Sequence, residues 1–414
     1  MLGGIKNMKI ALALGLGLMK VAEALPAFPG LSSSDWTSTG RALYFQTNED
    51  SNAIVSVKIH DNGTLSEGQL TYTNGTGARE ISAATNQTAS PDGLSSQGSV
   101  TVVGNSLFAI NSGDNTVSMF AISEDDPTNI TLVGAPASVP GDFPVTVAAS
   151  ELNNLVCVGT SGARSGVSCA PYAANVGIGK MDFLRTFDLE QSKTPAGPLD
   201  TVSQVLFSAD ESELIVTVKG DPTSNKTGFV SVFSVTGAWL TEQPRLSASR
   251  IDSKLNGTVA LFGFQQIPHS SKYFSTDAGF GAVIFSVDAA RETSTLLHKQ
   301  VIADQMATCW AAISPVTKSA FVSDPLVNHI VEMSLDDASI ISVVNSTSSN
   351  DASGYIDLAA AGAYVYALSP GATEGSGAEV AVLSVSPGKE KSITQSFNVG
   401  SWAGTSAQGL AVFP

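Results

Sequence analysis

Nucleophilic and acid-base chemistry at neutral pH falls first to histidine and cysteine, and this 414-residue chain has four histidines and three cysteines. His60 closes a β-like run beside Asp61-Asn-Gly63, His269 sits in the turn Pro268-His-Ser-Ser271, and His298 lies in a polar outer stretch, so all three read as solvated surface residues. His329 begins a strand next to the turn Asp324-Pro-Leu-Val-Asn328 and is the best placed of the four for catalysis, although a structural role suits it better. Cys157 and Cys169 lie symmetrically about Ala163 in the turn-like stretch Thr160-Ser-Gly-Ala-Arg-Ser-Gly166, so a hairpin would set them opposite each other as a disulfide. That leaves Cys309, in Ala307-Thr-Cys-Trp-Ala-Ala312, which reads as a small buried strand residue before it reads as a nucleophile. No His, Cys and carboxylate cluster has zinc spacing, and there is no Gly-x-Ser-x-Gly elbow, phosphate loop or EF-hand spacing, so neither a metal nor an organic cofactor is expected.

Carboxylates and amides are the remaining candidates, and what they can do depends on the elements that hold them. Helical periodicity is nearly absent, whereas short β-branched and aromatic runs punctuated by Gly, Asn, Asp and Ser recur along the chain. They pair as Ala42-Leu-Tyr-Phe45 with Ala53-Ile-Val-Ser-Val-Lys-Ile59, then Ser106-Leu-Phe-Ala-Ile110 with Thr116-Val-Ser-Met-Phe-Ala-Ile122, and so on through seven units. The units begin at 42, 106, 155, 214, 273, 320 and 365, and the third, Leu155-Val-Cys-Val158, is followed by a stretch that reads as irregular. Intervals of 64, 49, 59, 59, 47 and 45 residues match four-stranded blades with variable loops. Two sandwich domains would have to explain seven equivalents without a linker, so an all-β, seven-bladed propeller is expected. A further strand precedes each later unit, as in Ser99-Val-Thr-Val-Val103, Val145-Thr-Val-Ala-Ala149, Val202-Ser-Gln-Val-Leu-Phe207 and Gly354-Tyr-Ile-Asp-Leu-Ala-Ala360, and reads as the innermost strand. The first unit has none upstream. Ala407-Gln-Gly-Leu-Ala-Val-Phe413 resembles Ser96-Gln-Gly-Ser-Val-Thr-Val102, so the C-terminal strand should complete blade 1 and close the ring.

On such a ring the turns between second and third strands share a rim with the starts of the inner strands. Those turns carry Asp114, Arg164, Lys219, Asp277 and Asp324; the inner-strand starts carry Gln97, Gln204, Gln265, Trp310, Asp357 and Gln408. Amides, carboxylates, one lysine and a tryptophan suit a neutral polyol or sugar. Asp in a Gly- or Asn-containing turn ordinarily bonds its own backbone, which is the plainer reading of Asp114 and Asp324, while Lys219, Asp277 and Asp357 stand between the two readings.

Ser106-Leu-Phe-Ala-Ile-Asn-Ser-Gly-Asp-Asn-Thr-Val-Ser-Met-Phe-Ala-Ile122 and Thr201-Val-Ser-Gln-Val-Leu-Phe-Ser-Ala-Asp210 look like the blade signature of the lactonase-type seven-bladed propellers. Ala307-Thr-Cys-Trp-Ala-Ala-Ile-Ser-Pro315 with Gly354-Tyr-Ile-Asp-Leu-Ala-Ala-Ala361 resembles a narrower group, the secreted fungal 3-carboxymuconate cyclase-like glycoproteins. The resemblance spans nearly the whole chain after its first residues. It implies cofactor-free opening or closing of a lactone in an axial pocket, with a His as acid and base and Arg residues holding carboxylates. Those enzymes tend to carry His at the inner-strand starts, where this chain has Gln97, Gln204, Gln265 and Gln408 or apolar residues, so no catalytic residue carries over.

Lys6 and Lys9, the apolar run Ile10 to Met19 and the small-x-small site Ala22-Glu-Ala24 have the anatomy of a secretory signal peptide, residues 1–24, with a single propeller domain over 25–414. The run is too short to span a bilayer, and no second candidate follows. Asn-x-Ser/Thr sequons at Asn62, Asn74, Asn86, Asn129, Asn225, Asn256 and Asn345 agree with export to an extracellular or cell-wall location. A net charge of −16 makes nucleic acid and anionic membrane poor partners, leaving a small molecule or a glycan, and the chain is expected to act as a monomer. Three functions fit: a lactonase or cyclase, a binding glycoprotein without catalysis, and an isomerase or hydrolase working through carboxylates such as Asp277 and Asp357.

Overall fold

The computed structural model describes residues 39–237, 243–346, 354–373 and 375–414; the expected signal peptide lies outside them. Seven antiparallel sheets form the blades of an all-β propeller, each numbered here by its place along the chain. The inner strands are Val100–Val103, Pro144–Ser150, Val202–Phe207, Leu261–Gln266, Trp310–Ser314 and Leu358–Ala361 for blades 2 to 7, and Gln408–Phe413 for blade 1. This last strand pairs with Ala42–Gln46 in the register Ala42↔Phe413 and Gln46↔Gln408, so the ring closes by joining the two ends of the described chain.

Burial explains the sequence pattern. Second strands such as Ala42–Gln46, Ser106–Asn111 and Ser319–Asp324 are buried on both faces because neighbouring blades pack against each, so they read as unbroken apolar and small residues. Outermost strands such as Ser392–Asn398 have one wet face and alternate. Apolar side chains fill the gaps between blades, as where Leu43, Phe321, Leu358 and Tyr366 meet across blades 1, 6 and 7.

Two expectations need correction. The continuation of blade 3 is a regular eight-residue strand, Gly166–Ala173, aligned with Leu155–Thr160 so that Cys157 faces Cys169 and the two form a disulfide. Blade 7's inner strand starts at Leu358 rather than Gly354, because Asp357 adopts a left-handed conformation (φ 60°) that a strand cannot continue through.

One feature was not anticipated. The connection from blade 1 to blade 2 does not run over the outside. Its residues Ile81–Ser82 pair in parallel with Ala196–Gly197 from the connection between blades 3 and 4. The chain then turns inward to Gln97 before entering blade 2.

Candidate functional site

The inner-strand glutamines show what the ring demands of its own polar groups. Each inner strand has a blade on either side but no strand inward of it, so some backbone amides need partners from side chains. Gln204 Oε1 accepts from the Phe264 amide of the next blade at 2.6 Å, and Gln265 Oε1 accepts from the Ile313 amide of the blade after that at 2.8 Å. Both amides therefore serve as ties between blades.

Gln97 reaches much further. Its Nε2 donates to the Ala311 carbonyl (2.9 Å) and to Asp357 Oδ1 (3.1 Å), and its Oε1 accepts from the Ala311 amide (3.2 Å), while its own amide donates to the Ser203 carbonyl (3.0 Å). The neighbouring residues do the same. Lys219 Nζ donates to the Ser95 carbonyl at 2.6 Å, Trp310 Nε1 to the Ser96 carbonyl at 3.1 Å, and the Val147 amide to the Gly98 carbonyl at 2.8 Å. Residues 95–98 thus touch blades 3, 4, 6 and 7, and form a polar plug across the axis at the level of the inner-strand starts.

Lys219 is buried under this plug. Its ammonium donates to the Ser95 carbonyl and to Ser203 Oγ (3.0 Å), lies over the Phe262 ring at 4.7 Å, and loses basicity through burial against the pull of Glu80 and Asp92. Glu80 is also buried; it accepts from Ser95 Oγ through Oε1, while its Oε2 has no partner. Burial pushes its carboxyl up to about 8 against the Ser95 hydrogen bond, and nearby Asp92 adds to the rise.

Asp92 accepts the amides of Leu94 (3.1 Å) and Ser95 (2.9 Å), and burial pushes its carboxyl up to about 6. It is only half-buried, so part of the carboxylate stays accessible. The Gln408 amide lies against it, although Nε2 stops short of hydrogen-bonding geometry. Gln408 is the register partner of Gln46, both of whose side-chain polar atoms are unpartnered, and Ser99, whose hydroxyl is also unpartnered, stands against Gly409. Gln46, Ser99 and Gln408 are all more than nine-tenths buried. At the seam of blades 1 and 2 the fold therefore holds two amides and a hydroxyl with unused hydrogen-bonding capacity, closed off from solvent, and Gln408 leads from them to the more accessible Asp92 carboxylate. An unmet buried polar group costs about 1–3 kcal/mol, so a small opening of this seam toward a polar ligand would be compensated by new hydrogen bonds.

Asp277 and Asp324 are not part of this gathering. Asp277 accepts the amides of Val259 (2.7 Å), Ala260 (3.0 Å) and Gly279 (2.9 Å), and Asp324 those of Met306 (2.7 Å), Ala307 (2.6 Å) and Leu326 (2.8 Å). They hold equivalent lead-in loops of blades 5 and 6. Asp114 likewise bonds the Thr76 amide and the Thr116 hydroxyl, and Arg164 pairs with Asp142 at 2.7 Å. Asp357 bonds Gln97, the Leu358 amide (2.9 Å) and the Leu410 amide, and burial pushes it up to about 7. Cys309 is buried with its thiol pushed up by desolvation, which keeps it unreactive. Of the histidines, His60 and His298 are exposed, His269 occupies a left-handed turn position, and half-buried His329 is lowered by desolvation.

Glu80, Asp92, Ser99 and Gln46 were not candidates from sequence. The available signal was the 64-residue first interval, which contains a loop too long to be idle.

No family model and no curated protein matches this chain. Solved structures do. The periplasmic gluconolactonase PpgL of Pseudomonas aeruginosa aligns with a TM-score of 0.62 at 13% identity, over 87% of this chain and 96% of that one. A protein of Bacteroides uniformis named for 6-phosphogluconolactonase aligns at 0.59 and 15% identity, covering 88% and 98%, and one of Bacteroides fragilis at 0.59 and 11%, covering 92% and 99%. With those alignments running almost end to end around a seven-bladed ring, the chain has the fold of the lactonase-type β-propellers.

Proposed function

We propose that the polar seam of blades 1 and 2, entered at Asp92, binds a small, neutral, polyhydroxylated molecule of the sugar-lactone class and opens its ring. The observation that carries this is the half-buried Asp92 carboxyl against Gln408, with the unpartnered polar atoms of Gln46 and Ser99 in the same seam. Sugar hydroxyls match such a set, donating to and accepting from amides and hydroxyls alike. A phosphorylated substrate fits poorly, because the nearest cation, Lys219, is spent on Ser95 and Ser203.

A carboxyl titrating at about 6 is charged at neutral pH and is a stronger base than an ordinary aspartate. In lactone hydrolysis Asp92 takes a proton from water as that water attacks the ring carbonyl. The Gln46 and Gln408 amides donate to the oxygen on which negative charge develops. The ring oxygen then leaves with the proton that Asp92 holds, giving the open hydroxy acid.

Export supports this setting: all seven sequon asparagines are exposed, and the Cys157–Cys169 disulfide suits an oxidising compartment. A second reading, a glycoprotein that binds without turnover, is favoured by the plug stitched across the ring. Hydrolysis of glucono-δ-lactone and related sugar lactones by wild type and Asp92→Asn separates the two. We expect Asp92→Asn to lower kcat by 100-fold or more with ligand affinity kept. Affinity without turnover in the wild type would select the binding reading, and neither affinity nor turnover would overturn both.

A further inference from the structure

Among the described residues every blade ends in an outermost strand whose far edge pairs with no further strand, and such an edge invites a second copy to add on. Most of these edges carry their own deterrent. Blade 5's outer strand, Thr293–Val301, has His298 and Lys299 near its middle; blade 7's, Ser392–Asn398, turns polar side chains outward; blade 1's, Leu65–Tyr72, includes Glu67. Blade 6's does not. Ile340–Asn345 reads Ile-Ile-Ser-Val-Val-Asn, with no charge and no proline, and Ile340, Ile341 and Val343 are 39%, 54% and 50% exposed. A short, uncharged, β-branched segment on an open edge is a pairing hazard.

Asn345 is the last residue of that strand. Side chains alternate along a strand, so Ile341, Val343 and Asn345 share a face, and Asn345 is exposed. It is also the acceptor of the sequon Asn345-Ser-Thr347. Other sequons sit in the same relation to other edges: Asn74 follows the blade 1 outer strand and its exposed Tyr72, Asn129 directly precedes Ile130–Leu132 in blade 2, and Asn256 follows Ile251–Ser253 in blade 4.

We propose that Asn345 carries an N-linked glycan that covers the outer edge of blade 6 and keeps two copies of the chain from pairing there. In the transfer, Asn345 Nδ2 forms a bond to the anomeric carbon of a lipid-diphosphate oligosaccharide. The bond from that carbon to the diphosphate breaks, the amide gives up one proton, and the lipid diphosphate leaves. The occupant is a branched, hydrated sugar, which shields the aliphatic face without offering backbone groups for pairing. The proposal rests on export and is independent of lactone chemistry.

The test uses the full chain secreted from a eukaryotic host, with site-by-site glycopeptide mass spectrometry and light scattering across a concentration series. Thr347→Ala removes the acceptor signal without altering the strand. We expect sugar on Asn345, a monomeric wild type, and a Thr347→Ala variant whose average mass rises at least twofold with concentration. Adding Ile341→Lys to Thr347→Ala should restore the monomer, which separates edge pairing from misfolding. Asn225→Gln, in a loop away from every outer strand, should stay monomeric. A bare Asn345 beside an occupied Asn62 or Asn225 overturns the proposal alone, as does a monomeric Thr347→Ala; absence of sugar at every sequon overturns the export reading with it.

Discussion

A carboxyl group in a dry enclosure is defined by how many amides it meets. Asp277 and Asp324 each meet three and are held as anchors for lead-in loops, whereas Asp92 meets two amides and keeps surface free. Asp357 lies between these cases: it is well bonded, yet burial raises it from 3.8 to about 7. A folded-state value above the unfolded one means that folding favours the protonated form. The associated stability is complete below about pH 4 and is lost as pH rises through about 7, a span worth on the order of 4 kcal/mol. Asp357→Asn keeps an acceptor for the Leu358 amide and removes the titration. Its urea midpoint should therefore exceed that of wild type at pH 8, with the gain shrinking steadily toward pH 4. A gap unchanged across that range would mean that Asp357 is charged throughout. The sequence set Asp324 apart as a turn residue that bonds backbone, but left Asp277 and Asp357 between two readings and did not single out Asp92. Their difference lies in which amides the loops present, and that is set by tertiary contacts.

Strands and their plug differ in how they announce themselves. The second and third strands of every blade but the third were legible almost to the residue, Ala53–Ile59 and Thr116–Ile122 among them, because burial between blades imposes β-branched runs and turns impose Gly, Asn and Asp. The plug has no period, since residues 95–98 are bonded to four blades in no repeating order. Its traces are indirect. Gly263, in the blade 5 inner strand, is one: a methyl group there would stand 1.8 Å from Gln97 Oε1 and 3.0 Å from the Cys309 carbonyl. Gly263→Ala must push Gln97 away and break its bonds to Ala311 and Asp357, a loss of about 2–3 kcal/mol including overpacking. The expected signature is faster proteolysis within residues 80–98 while the remaining blades stay protected. Uniformly increased cleavage would instead show that the plug and the ring melt together.

For the whole molecule, the closing strand makes partners of the two ends of the described chain. The Arg41 amide donates to the Phe413 carbonyl at 2.8 Å, and buried Gln408, Leu410 and Phe413 complete blade 1. The likeness of residues 407–413 to 96–102 made this closure legible in the sequence. The seam beside it, with Gln46, Ser99, Gln408 and Asp92, was not, because it exists only once first and last blades meet. The same geometry separates two operations that look equally severe on paper. Deleting residues 407–414 strips blade 1 of its inner strand, exposes the unpaired edge of Ala42–Gln46 and opens the seam to solvent; it should leave no cooperative thermal transition. Joining Pro414 to Thr39 through a few glycines and cutting at Gly388, a turn with open space around it, keeps every strand pair. That permutant should melt cooperatively within about 1–3 kcal/mol of the parent and retain whatever ligand the parent binds. If it folds but loses the ligand while the parent binds, the site depends on a seam held from two separate ends; if both properties survive, strand pairing alone builds it.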